Sequence, residues 1–451
     1  MKELALLPVG QQDFSEIRKL NMVYVDKTQY IHKLLLTRAP FWFLAHPRRF
    51  GKSLLINTLK ELFLGKKELF KGLYIEDKME WEEFPVIHLD FSNMGFRSIG
   101  LELAISNRLQ EIGREYDVNL EKTGNDNLFQ ELIQKLYEKT GKQVVILIDE
   151  YDKPITDVLE ISENKKTHEH RDILRTFYST IKGSSLYIRF FFLTGIARFS
   201  KVSIFSELNN LTDLTFHDDY HNLLGYTQEE IQKYFTPHLE VIAEKLKITM
   251  PELLAQVKMW YNGYSWNGND RVYNPYSILR FLDAKSFRNF WFDSGTPKFL
   301  IKLLKDKMIY DISEMTVSVS ETDNFDIDNL GLETLLFQTG YLTIKEADDF
   351  GSYILTYPNK EVEHSMMQYI LTAFAQKNNS LPLATSIAKG VKNNDFEQII
   401  KGINSILRQF LTKFSTNIKK NIFIRYFFLP SNYAVFTFSL KFPFRQGALM
   451  R

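Results

Sequence analysis

Phe41-Trp42-Phe43-Leu44-Ala45 is an unbroken apolar run, and soon after it Leu54-Leu55-Ile56-Asn57-Thr58-Leu59-Lys60-Glu61-Leu62-Phe63 returns an apolar side chain every three or four positions. The first pattern reads as a strand and the second as an amphipathic helix. The alternation then repeats. Phe84 to Phe91, Val144 to Ile148 and Leu186 to Thr194 predict further strands, and residues 99–115 and 127–139 predict the helices between them. Strands alternating with helices through about residue 212 imply an α/β fold with a parallel sheet. From residue 213 the pattern turns helical: Gln228 to Tyr234, Val241 to Leu246 and Pro251 to Trp260 look amphipathic, with Pro251 at a helix start. Residues 296 to about 410 predict a second, mostly helical region interrupted by strands at Leu335 to Ile344 and Tyr353 to Tyr357.

Between the first strand and its helix lies His46-Pro47-Arg48-Arg49-Phe50-Gly51-Lys52-Ser53. Strand, loop and helix in that order let loop amides and the positive end of the helix surround an anion. Arg48, Arg49, Phe50, Gly51, Lys52, Ser53 and Leu54 are therefore the expected nucleotide-binding residues. Gly51 lets the backbone come close, Lys52 can reach the outer phosphates, and the Ser53 hydroxyl is placed for a magnesium ion. The later strand ends in Asp149-Glu150, at the carboxyl edge where doubly wound sheets bind ligands. Asp149 is the expected second magnesium ligand and Glu150 the group that polarises a water, against the plainer reading of Glu150 as a solvated neighbour. A bare Gly-Lys-Ser arises by chance, as does an aliphatic strand ending in Asp-Glu. The two in this order, flanked by strand and helix, are the specific signal for a nucleoside triphosphate. The loop departs from G-x-x-x-x-G-K-S only at its first position, occupied by His46.

Tyr24-Val25-Asp26-Lys27-Thr28, the Pro47–Ser53 loop, Asp149-Glu150-Tyr151-Asp152 and Thr194-Gly195-Ile196-Ala197-Arg198-Phe199-Ser200 together resemble the bacterial AAA-ATPase-like family. So do Leu208-Asn209-Asn210-Leu211-Thr212, Tyr261-Asn262-Gly263-Tyr264 and Tyr273-Asn274-Pro275, so the resemblance covers about the first 280 residues. It implies a P-loop NTPase core using ATP and Mg2+, with the first loop glycine typically missing. It also implies that the strand ending at Thr194 lies between the loop strand and the Asp149 strand. Thr194 would then stand near the γ-phosphate as a sensor. Arg198 would sense the same phosphate or act as an arginine finger, the alternative being a surface arginine after a strand. Members usually carry a PD-(D/E)XK nuclease-like domain at the carboxyl end.

Composition narrows the field. A chain of 451 residues suggests two or three domains: an ATPase core over 1–212, a helical lid or winged-helix-like segment over 213–295, a mostly helical region over 296–410 and a tail over 411–451. The 56 basic residues against 55 acidic ones leave a net charge of +1, which selects no polyanion partner. Cysteine is absent, which excludes disulfides and thiolate chemistry. No apolar stretch approaches the ~20 residues of a membrane helix, and the amino terminus lacks a signal-peptide pattern, so the expected location is the cytoplasm. His217 and His221 have i, i+4 spacing without a third ligand at a characteristic distance, and solvated residues are the favoured reading. After Glu397 no acidic residue appears, and the last 41 residues hold seven Lys or Arg and ten Phe or Tyr. Without a carboxylate that tail cannot build a nuclease site, so the expectation is a nuclease-like domain lost by truncation or frame change near residue 415.

These readings converge on a slow magnesium-dependent ATPase acting as a nucleotide-driven switch. The alternatives are a nucleotide-sensing scaffold that does not hydrolyse and a nucleic-acid-binding module. Partners beyond ATP stay open among a second copy of the chain, a nucleic acid and a protein.

Overall fold

Strands β1 (Phe41–Ala45) and β3 (Val144–Asp149) are buried at every residue, as their unbroken apolar runs require of strands covered on both faces. The structure, a computed structural model, describes residues 4–37, 40–159, 164–198, 210–294, 298–309, 311–322, 331–348, 350–375, 395–398 and 400–401. With β2 (Val86–Asp90), β4 (Ile188–Gly195) and β5 (Thr212–Asp213), these strands form a parallel sheet in the order β2-β3-β4-β1-β5. The Thr194 strand does lie between the loop strand and the Asp149 strand. After β1 the chain crosses to the far edge and walks back through β3 and β4, so the loops after β1, β3 and β4 emerge side by side. Register makes this concrete: Leu44 lies opposite Thr194, Ala45 opposite Gly195, and Asp90 opposite Asp149.

Helices Lys52–Phe63, Leu101–Glu115, Asn125–Thr140 and Asn164–Gly183 surround the sheet. The first places Leu55, Ile56, Leu59, Leu62 and Phe63 in the core, and Phe63 packs on Phe190 of β4 with ring centroids 5.0 Å apart. The α/β core is as the alternation predicts.

The next region is helical, with one revision. Gln228–Leu246 is a single helix, not two stretches, because Ile231, Phe235, Leu239 and Ile242 continue one buried stripe across Pro237. Thr227 and Glu230 close its start as a capping box, and Thr249 and Glu252 do the same for Met250–Tyr261. The Tyr24–Thr28 run ties this region to the amino-terminal segment. Lys27, 9% exposed, pairs with Glu230 at 2.7 Å, and Val25 joins the core formed by Phe235, Val257, Tyr261 and Phe281.

A second sheet follows, antiparallel in the order β6-β8-β7, from β6 (Glu314–Ser318), β7 (Thr343–Ala347) and β8 (Ser352–Thr356). The expected strand at Leu335 to Ile344 is instead the end of helix Leu332–Gln338 followed by the start of β7. Gly340, at φ +86°, makes the break, and the Tyr341 and Leu342 amides bond back to the Leu336 carbonyl.

These elements belong to one compact unit, Met1–Ile370. The expected boundary near residue 410 and the 411–451 tail lie outside the described residues. Among the described residues no helix is long and apolar enough to cross a membrane.

Candidate functional site

The β1–β4 ladder runs one residue beyond the strands, with the His46 amide donating to the Gly195 carbonyl at 3.1 Å. The loop then arches over two left-handed residues, Arg49 at φ +69° and Gly51 at φ +95°. A Cβ at Gly51 would meet nothing within 4 Å, so the backbone conformation alone asks for glycine there. Helix Lys52–Phe63 starts immediately, with no side chain capping it and no acid in its first turn. Its leading amides therefore point outward without an intrahelical acceptor, as an anion requires.

Lys52 is 5% exposed and its amine donates to the His46 and Pro47 carbonyls at 2.8 and 2.9 Å. Burial lowers its pKa, while Glu150, Asp149 and Asp152 oppose the shift, which places three carboxylates within electrostatic reach of one amine. Asp149 is 3% exposed. Its Oδ1 accepts from the Thr194 hydroxyl at 2.6 Å and from the Glu150 amide at 3.0 Å, so Oδ2 carries neither bond. Glu150 adopts φ +50°, and its carboxylate lies 3.8 Å from the Lys153 amine. Such a backbone in a non-glycine residue is a local strain of the kind that clusters at functional sites. Ser53 is half-buried in the first turn of the helix.

Other expected residues stand differently. Phe50 is 1% exposed, its ring edge-on to Tyr264 and Trp266 at 4.8 and 5.4 Å, so it anchors the loop in the core. Arg48 and Arg49 are exposed, and the Arg49 guanidinium sits 4.8 Å over the Tyr276 ring. Leu54 is half-buried one residue beyond Ser53. Arg198 is tied to Asp213 on β5, with Nε at 2.9 Å, and lies 4.6 Å over Phe216, while its amide donates to Gln338 at 2.9 Å. His217 and His221 lie in turns before the Gln228 helix, and His221 Nε2 is 3.3 Å from Asp270.

Sequence reasoning misses the brace around the loop. The His46 ring stacks on Trp266 at 3.9 Å, Trp291 Nε1 donates to the Arg48 carbonyl at 3.3 Å, and a Cβ on Gly340 would come within 2.7 Å of Pro47. It also misses Asp152, 1% exposed, whose Oδ2 accepts from the Ile196 and Ala197 amides at 3.0 and 2.7 Å. Burial pushes that carboxyl up to about 6; Glu150 adds to the shift, while the two amides and Lys52 oppose it.

His46 itself carries a pH consequence. Burial and the Lys52 charge drive its imidazole down to about 3, against the bond from Nδ1 to the Ala45 carbonyl. The unfolded imidazole takes up a proton near pH 6.5 that the folded one refuses. Stability is therefore full above pH 6.5 and falls as pH drops toward about 3, by about 1.4 kcal/mol per unit. Between pH 7 and 4 the unmodified protein should lose about 3 kcal/mol relative to His46→Phe. Urea unfolding of both proteins at the two pH values checks this, and equal losses would refute it.

Among the described residues no group of three or more His, Cys, Asp or Glu could hold a metal. A hydroxyl and one carboxylate, Ser53 and Asp149, suit magnesium, which keeps waters and takes phosphate oxygens to complete its shell. A family model described as predicted AAA-ATPase matches residues 8–205. A protein of Azotobacter chroococcum mcd 1 named "Uncharacterized protein in vnfD 5'region" is 37% identical over 376 residues, covering 82% of this chain and 70% of the relative. The uncapped helix, the buried lysine and the strand-end carboxylates agree with the family model, and the chain belongs to the predicted AAA-ATPase family.

Proposed function

We propose that the protein binds ATP with magnesium at the carboxyl edge of the parallel sheet and hydrolyses it slowly, as a nucleotide-driven switch. One observation carries the reading: the Lys52 amine, buried below an uncapped helix start, lies within electrostatic reach of Asp149 and Glu150. In this proposal Lys52 leaves the His46 and Pro47 carbonyls to neutralise phosphate oxygens, together with the loop amides. Ser53 and Asp149 would hold magnesium, which supplies charge stabilisation to the transferring phosphoryl group. Glu150 orients the attacking water. Thr194, bonded to Asp149, reports the γ-phosphate, and Arg198 does so by exchanging Asp213 for it.

The brace gives the switch its route. Any shift of the loop on binding is felt by Trp266, Trp291 and Gly340, in the chain segments that follow the sheet. The proposed organisation is a core over 1–212 with 213–295 and 296–410 as the responding parts, acting in the cytoplasm.

The test is calorimetric ATP binding together with phosphate release, each with and without magnesium. Binding with magnesium-dependent release at rates well below the ~10 s⁻¹ of an ordinary enzyme is expected. Binding without release would leave the non-hydrolysing scaffold, and no binding would overturn the site.

A further inference from the structure

We infer that Asp152 is a positioning residue that clamps the Thr194–Arg198 segment onto the Asp149–Glu150 turn. Two backbone amides, of Ile196 and Ala197, converge on one buried carboxylate oxygen, and charge-assisted bonds of this kind are the stronger class. Tyr151 completes the attachment from the same turn. Its amide donates to the Thr194 carbonyl at 3.0 Å and its hydroxyl to the Ala197 carbonyl at 2.8 Å. No room remains between the two pieces: a Cβ on Gly195 would lie 2.5 Å from the Tyr151 ring and 2.7 Å from Asp152 Oδ1.

The attachment decides what the segment presents. With Ile196 and Ala197 held, the Thr194 hydroxyl stays 2.6 Å from Asp149 Oδ1, and the Arg198 amide stays on Gln338. Asp152 therefore acts through Thr194 and Arg198, without touching the nucleotide. Loss of the carboxylate leaves two buried amides without acceptors and loosens the segment, which then depends on the Tyr151 bonds for its hold on the turn. The clamp stands on geometry alone; its effect on turnover rests on the ATPase reading.

The unmodified protein, Asp152→Ala and Asp152→Asn are compared by amide exchange of the peptide covering residues 190–198 without nucleotide, and by ATP affinity and kcat. Asp152→Ala should exchange there at least about 10-fold faster, keep ATP affinity within about threefold, and lose about 10- to 100-fold in kcat, the effect of a displaced positioning group. Asp152→Asn retains one oxygen that accepts both amides and should recover most of the protection and kcat. Should Asp152→Ala fail to fold, Asp152→Ser takes its place in the same comparison. Unchanged exchange overturns the clamp, and equal losses of affinity and kcat overturn the positioning role. Faster exchange in a chain that never hydrolyses ATP keeps the clamp and removes the ATPase reading instead.

Discussion

Glu150→Gln is expected to bind ATP within about threefold of the unmodified protein and to lower turnover by about 10² to 10⁴, the range that a positioned general base supplies. The substitution keeps the side-chain volume and gives up the carboxylate's charge interactions with Lys153, 3.8 Å away, and with Lys52. Glu150 contributes its amide to Asp149 at 3.0 Å, and glutamine keeps that bond. The left-handed backbone at φ +50° is equally strained for either residue. What glutamine lacks is the negative oxygen. Lys52→Ala should behave oppositely and lose binding first, because the amine that its pKa couples to Glu150, Asp149 and Asp152 is the buried positive charge of the site. Single-turnover phosphate release, read beside nucleotide binding, separates the two. A Glu150→Gln protein turning over at the unmodified rate would remove Glu150 from the mechanism and leave it a neighbour of Asp149.

Gly263→Ala should cost about 3 to 5 kcal/mol of stability, in the exceptional range for a single methyl group. Gly263 adopts φ +123°, and an added Cβ would fall 1.8 Å from the Pro358 carbonyl oxygen. That oxygen is backbone, so no rotamer change relieves the overlap. The chain must separate on one side or the other, and the neighbours suffer: Tyr264 and Trp266 follow directly and hold Phe50 and His46. Urea unfolding gives the loss, and nucleotide affinity should fall with it. A loss below about 1 kcal/mol would show that this approach of backbones is not required.

The fold is legible in the sequence where the signals are local. β1 and β3 announce themselves as apolar runs because both faces are covered, and Lys52, Asp149 and Glu150 are recognisable because each sits at a strand end or helix start. Leu335-Leu336-Phe337 is ambiguous for the converse reason: a short apolar run suits a buried strand or a buried helix equally. Length would favour a strand, yet Gly340 ends a helix there. The brace has no local signal at all. Nothing near His46 predicts Trp266, nothing near Arg48 predicts Trp291, and the Arg198–Asp213 pair emerges only when β5 aligns beside β1. Asp152 shows in sequence as the last residue of the Asp149-Glu150-Tyr151-Asp152 run, with no role attached to it. Its meaning depends on β4 arriving alongside.

The bond from Trp291 to the Arg48 carbonyl spans 243 positions of chain. A ribosome adding roughly 5 to 20 residues per second needs on the order of 10 to 50 s to travel from one partner to the other. Through that interval the parallel sheet can assemble, since its last strand ends at Asp213, while the loop at its edge still lacks the partners that set its shape. A nascent chain can thus carry all five strands of the sheet before the cradle is complete, and competence to take up nucleotide is expected late in synthesis, with the docking of the downstream segments.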